Sequence, residues 1–273
     1  MNRRLLVLPA LLLVAVGLVY PVLWILYRGL VSHEGPLGNF RELFQHSFYM
    51  HALANTFGTS AIVVLISLVI GFPLAATIAR SSGRLRVILL LVLIVPFWTS
   101  VLVRAFGWTV MLQRNGLVNK LLMGFGITDA PLALIYNSYG TIIGITHVLL
   151  PFMVLPIYSV LIRMNPIYMK AAHTLGAGSL RAFLHVYLPL SMPGVMAGCT
   201  LVFIMGLGFY IVPALLGGQR DMMLAQLIFE SVAAHGNWGE AGALSILLLA
   251  VTCLVLGVAY SVFGVRKLWA AEV

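Results

Sequence analysis

The chain has 273 residues, of which 62% are hydrophobic and only 8% charged. Soluble domains carry about 25% charged residues, so this chain cannot cover a water-facing surface and an ordinary soluble globule is excluded. Its 16 Lys and Arg against 7 Asp and Glu leave +9, but a mean hydropathy of +1.06 leaves little polar surface for a nucleic-acid patch, and basic membrane loops are the better reading.

Stretches free of Asp, Glu, Lys and Arg run over 5–27, 43–79, 87–103, 130–162, 182–219 and 241–265. A spanning helix needs about 20 mostly apolar residues. Five stretches exceed that, and the third reaches it if Arg104 snorkels to the interface. Continuous apolar runs such as Leu89 to Val95 do not alternate as barrel strands would. Six helices are therefore expected, near 5–27, 54–79, 87–108, 139–162, 191–213 and 241–265. Arg3 and Arg4 precede an apolar run longer than the 7–15 residues of a signal core, so the first span is expected to stay uncleaved. The connections are 28–53, 109–138 and 214–240 on one side, and 80–86 and 163–190 on the other. A short interfacial helix is expected over 115–122. The amphipathic stretch 221–234 is expected to dip back into the bilayer.

Six spans put both termini on one side. With the termini inside, the inner face carries ten Lys and Arg with one acid, Glu272, and the outer face six cations with six acids. The whole excess then lies inside, as the positive-inside rule requires. No tandem repeat or soluble appendage is visible, so residues 1–273 read as a single membrane domain.

The inner loop 163–190 is long for a bundle connection and has its own helix grammar. Asn165 suits an N-cap and Pro166 the first helical position. Ile167 to Leu175 is expected as a short helix, and Gly176 permits the positive φ of its C-terminal turn. Ser179 is expected to cap a second helix through Val186, ended by Pro189.

This loop reads Lys170-Ala171-Ala172, three residues, Gly176, nine residues, then Val186-Tyr187-Leu188-Pro189. It resembles the signature loop of binding-protein-dependent ABC importer permeases, whose pattern is Glu-Ala-Ala, three residues, Gly, nine residues, Ile, any residue, Leu-Pro. Ala171, Ala172, Gly176, Leu188 and Pro189 match in register, Val186 replaces Ile, and Lys170 reverses the charge of the family's Glu. The stretches 95–108, 149–158 and 208–218 are similar to the third, fourth and fifth spans of the spermidine/putrescine-type subfamily, the first permease subunit above all. Systems for opines, 4-aminobutyrate and aminophosphonates share these stretches.

The resemblance implies an all-α membrane protein with the type I ABC importer permease (MetI-like) fold and a cytoplasmic coupling helix. It implies a bacterial inner-membrane, multi-pass location with both termini cytoplasmic. It implies a second permease subunit, two ATP-binding subunits and a periplasmic substrate-binding protein as partners, with a small amine as cargo. Lys170, Ala171, Ala172, Leu175, Gly176, Leu188 and Pro189 are then the ATPase-coupling residues. The small Ala171 and Ala172 let the helix sit deep in a partner's groove.

No GxxxxGK[ST] phosphate loop occurs, so ATP and Mg are expected on the partner ATPase and no cofactor in this chain. Cys199 and Cys253 form no CxxC pair and read as packing residues, and no metal site is expected. Four residues are pathway candidates. Arg104, near the outer end of the third span, either holds an anionic group or snorkels. His147, in mid-span, either lines the pathway or is a satisfied core histidine. Trp98 and Tyr210 lie beside a proline or glycine break and suit an amine through cation–π contact; the alternative is an interfacial belt. Glu230 and Glu240 either attract a cation at the outer mouth or form a solvated face. An ion-coupled secondary transporter would require buried ionisable groups in related halves, and no half-repeat is visible.

Overall fold

A computed structural model describes residues 12–32 and 35–263. The basic ends at Arg3, Arg4, Arg266 and Lys267, with Glu272 and the His33-Glu34 pair, lie outside the described residues. The first three helices are α1 (Leu12–Leu30), α2 (Gly38–Gln45) and α3 (Ser47–Arg80). A bent pair follows, α4 (Gly83–Ile94), extended by a 3₁₀ turn Val95–Trp98, and α5 (Val101–Leu112). Then come α6 (Leu117–Gly124), α7 (Ser138–Leu161), α8 (Ile167–Thr174), α9 (Ser179–Leu207), α10 (Ile211–Leu216), α11 (Leu224–Ala233) and α12 (Trp238–Phe263). A two-residue antiparallel pairing of Val31–Ser32 with Gly35–Pro36 follows α1.

Five helices, α1, α3, α7, α9 and α12, are long and apolar enough to cross a membrane, and the bent pair, counted as one span, brings the number to six. The six-span, all-α architecture thus holds, with two differences. The third span is not one helix from 87 to 108. Its halves meet at 100°, because Pro96 ends regular hydrogen bonding and Ser100 starts a new helix by accepting the Leu102 amide at 3.2 Å. The second difference is at Pro189, which does not end the helix begun at Ser179. The chain stays helical to Leu207 through a π turn at Phe183–Tyr187, where the Leu188 amide reaches the Phe183 carbonyl. That wider turn makes room for the proline ring against the His185 carbonyl. The fifth span therefore starts 12 residues earlier than 191 and stops at Gly208. Pro73, Pro151, Pro156 and Pro193 all lie inside continuous helices.

The chain forms two compact units, residues 55–222 and residues 1–54 with 223–273. In the first, α7 is the central helix, and Leu149, Met153, Val154 and Ile157 have no exposed surface. Lipid removes the hydrophobic drive between helices, so close packing must replace it. Small residues allow that here. A Cβ on Gly194 of α9 would lie 2.8 Å from the Pro156 carbonyl oxygen, and one on Gly198 3.0 Å from that of Met153. Gly140 and Gly144 of α7 pack in the same way on Leu216 and Val212 of α10. Both small-residue faces are thus intrachain seams.

In the second unit α1 crosses α12 with Gly29 against Gly242, where a Cβ on either would come within 2.4 Å of backbone. Trp24 meets Trp238 edge-on at 5.3 Å. Tyr49 donates to Glu240 at 2.8 Å, and Asn39 donates to the Gly29 carbonyl at 3.0 Å.

Gly194→Val forces overpacking against α7 backbone and should cost about 1–3 kcal/mol. Gly58→Val, where an added Cβ meets nothing within 4 Å, should be near neutral. Thermal unfolding of the two variants in detergent measures the difference.

Candidate functional site: the inner loop and the bent span

The inner loop is built from α8 and the turn that follows it. Asn165 accepts the Ile167 amide at 3.0 Å, and the Lys170 amide donates to the Pro166 carbonyl at 3.2 Å. At the other end the Gly176 amide donates to the His173 carbonyl and the Ala177 amide to the Ala172 carbonyl, both at 3.0 Å. This paired closure needs a left-handed residue between the two amides, and Gly176 has φ +83°. Open space surrounds it, so the need for glycine is conformational, not steric.

Ala172 is buried within the chain, so unlike the exposed Ala171 it packs inward and is not offered to a partner's groove as expected; Lys170, Leu175 and Gly176 are exposed. Leu188 is half-buried and Pro189 exposed, both on the lower part of α9. Leu175 has 87% of its surface free. Three exposed residues that the loop signature does not include belong to the same loop: Ile167, Tyr168 and Leu180, at 59%, 53% and 72%. The sequence signal for them was the presence of apolar residues in an otherwise basic loop. Apolar surface offered on a rigid helix marks an interaction site.

The second locus is the bend between α4 and α5. Arg104 sits on the second turn of α5, and its Nε is buried without a hydrogen-bond partner. His147 of α7 meets Trp108 edge-on at 5.6 Å, and Arg104 stands one helical turn before Trp108 on α5. The His147 Nδ1 is likewise buried and unpartnered. The structure therefore brings Arg104, Trp108 and His147 together. Tyr210 lies in the break after α9 and shares a shallow cleft with Val101 at the start of α5. Trp98 is 89% exposed, while its neighbour Phe97 packs on Phe152 at 5.0 Å. Glu240 is engaged by Tyr49 and by Asn237, whose side-chain amide donates to it at 3.2 Å. Glu230 accepts from Gln226 at 3.0 Å.

Residues 67–268 match the family described as "Binding-protein-dependent transport system inner membrane component". The chain belongs to that family. The matched region contains the inner loop, both halves of the bent span and the α7–α9 seam. Relatives include the spermidine/putrescine transport system permease protein PotB of Haemophilus influenzae. It is 35% identical over 222 residues, 81% of this chain and 77% of that one. The PotB of Escherichia coli K12 is 34% identical, over 81% of this chain and 80% of its own length. Among solved structures, a chain of a bacterial ABC transporter involved in the import of the acidic polysaccharide alginate superposes with a TM-score of 0.72. It is 16% identical and the match covers 95% of this chain and 93% of that one, a likeness of fold. The protein is thus the permease component of an ABC importer, a multi-pass membrane transport subunit with the type I importer permease fold.

In this permease Arg104 places a cation in a span with no acceptor at Nε. Arg104→Leu should raise stability by about 1–3 kcal/mol, the cost of an unsatisfied polar group. Thermal scans of detergent-solubilised permease check this; a fall in stability would show that the guanidinium has a structural partner.

Proposed function

We propose that this permease imports a polyamine or a related small amine across the bacterial inner membrane, with both termini cytoplasmic. The supporting observation for the cargo is the likeness, over 81% of the chain, to permeases named for spermidine and putrescine. The orientation rests on the charge count, which leaves the outer face neutral. Opines, 4-aminobutyrate and aminophosphonates are the competing cargoes for the same architecture.

The permease acts with a second, similar permease subunit, two ATP-binding subunits and a periplasmic substrate-binding protein. ATP and Mg belong to the ATP-binding chains, and this chain does no bond chemistry. The coupling helix is α8 with its flanks, over 166–176. Its exposed Leu175, Ile167 and Tyr168 enter the ATPase groove, and Ala171 allows close approach. ATP-driven closure of the ATPases displaces α8. Because α8 is capped at both ends, it moves as a body and takes the ends of α7 and α9 with it. Alternating access follows, with the whole chain acting as one permease domain.

Along the pathway an amine meets aromatic faces rather than cations. Tyr210, in a cleft beside the bend, and Trp98 are the candidate contacts. Arg104 and His147 are assigned to the electrostatics of the bent span and not to cargo contact, since a cationic cargo would be repelled by a guanidinium.

Two measurements test this reading. Gly176→Val forces a β-branched residue to positive φ, at a cost of about 1–2 kcal/mol to the turn. The variant should insert normally yet lose the ATP-binding chain on affinity purification, whereas retention of that chain with full uptake would displace α8 from its role. Calorimetry on the cognate binding protein should show tighter binding of putrescine or spermidine than of 4-aminobutyrate or an opine. The reverse order would reassign the cargo.

A further inference from the structure

We propose that a cavity beside the coupling helix binds the phosphate headgroup of an anionic phospholipid from the cytoplasmic leaflet. The cavity has a volume of about 560 Å³. Its wall takes Arg80 from the end of α3, Arg86 from the first turn of α4 and Lys170 from α8. The turn between α3 and α4 supplies two of these cations and α8, some way along the chain, the third, and none of the lining residues is acidic.

The two arginines are held in place but not neutralised. The Arg86 Nε donates to the Ser81 carbonyl at 2.8 Å, and its Nη2 reaches the Ala79 carbonyl at 3.4 Å. Carbonyls fix the guanidinium without cancelling its charge. The Arg80 guanidinium stands 5.2 Å over the Tyr187 ring, again a neutral partner. Lys170 is exposed. Among the described residues no carboxylate pairs with any of the three. Like charges around one concavity repel, and an anion relieves that repulsion.

The rest of the wall selects the kind of anion. Leu161, Met164 and Met169 contribute to the lining, an apolar surface that gains nothing from a hydrated inorganic ion but accommodates a glycerol backbone and the first acyl carbons. Arg80 closes a spanning helix, which puts the cavity at headgroup depth. Basic pockets between spans on the cytoplasmic side have this ligand chemistry. Lys170 is decisive. An acid at this position would sit beside Arg80 and Arg86 and neutralise them. Lysine instead adds a third cation and leaves the site to an external phosphate. A bound lipid would then bridge α8 to the ends of α3 and α4.

The assignment to the cytoplasmic leaflet rests on the proposed orientation; the preference of the cavity for anionic lipid does not. The test is therefore made in detergent, where topology has no influence. The full-length permease, with the chains that copurify, is equilibrated with equal amounts of phosphatidylglycerol and phosphatidylcholine and examined by native mass spectrometry. The wild type should retain phosphatidylglycerol in preference. Arg80→Gln and Lys170→Gln should each lower that retention about fivefold, and Lys170→Glu should reduce it to the phosphatidylcholine level. Arg163→Gln, which removes an exposed cation of the same loop outside the cavity, should retain as the wild type does. Equal retention of the two lipids by the wild type, or retention in the cavity variants matching that of Arg163→Gln, would overturn the site. Displacement by millimolar inorganic phosphate would overturn the lipid as its source.

Discussion

Helices in a bilayer are surrounded by a solvent as apolar as their own side chains, so they stay together only where they approach closely. In residues 55–222 that approach is the seam between α7 and α9, where Gly194 and Gly198 lie against the backbone around Pro156 and Met153. The seam has a consequence for the short helix between these two spans. α7 leads into α8, and α8 leads through one tight turn into α9. A force applied to α8 therefore acts on two spans already locked together. The Asn165 cap and the Gly176 turn make α8 a rigid handle on that pair.

Where the backbone departs from regular helix, it does so at proline, serine or glycine, and each departure has a local cause. Pro96 and Ser100 fold the third span back on itself. The π turn before Pro189 keeps α9 continuous with the inner loop. The break at Gly208 places Tyr210 beside the start of α5. Arg104, Trp108 and His147 cluster close to the same bend. A broken span is tolerated in lipid where protein surrounds it, and here α7 and α10 flank α5.

Much of this was legible in the sequence, for physical reasons. Charge-free runs reported the spans, because charge is costly in hydrocarbon. Asn165, Pro166 and Gly176 reported the ends of α8, because capping depends on residue type at fixed offsets. Other features depend on geometry that residue type alone does not determine. Pro189 reads as a terminator in sequence, yet one widened turn accommodates it. The third span reads as one apolar run, and its composition is blind to a 100° bend. The Tyr49–Glu240 hydrogen bond joins residues 191 apart. The cavity at Arg80, Arg86 and Lys170 is invisible until three separate elements are brought together. The charge excess carries the same lesson: its total pointed to a membrane protein, but only placement in the fold gave three of the cations a common cavity.

In the proposed importer α8 is the surface through which ATP hydrolysis is felt. The most direct measurement is site-specific cross-linking from Leu175→Cys in a background with Cys199 and Cys253 replaced by serine, using a short bifunctional thiol reagent on the assembled importer. The account predicts a cross-link from position 175 to the ATP-binding chain whose yield changes when ATP is added, and no such cross-link from Asn115→Cys in the expected outer segment. A cross-link from position 115 to that chain, or none from position 175 in an importer that hydrolyses ATP, would contradict it.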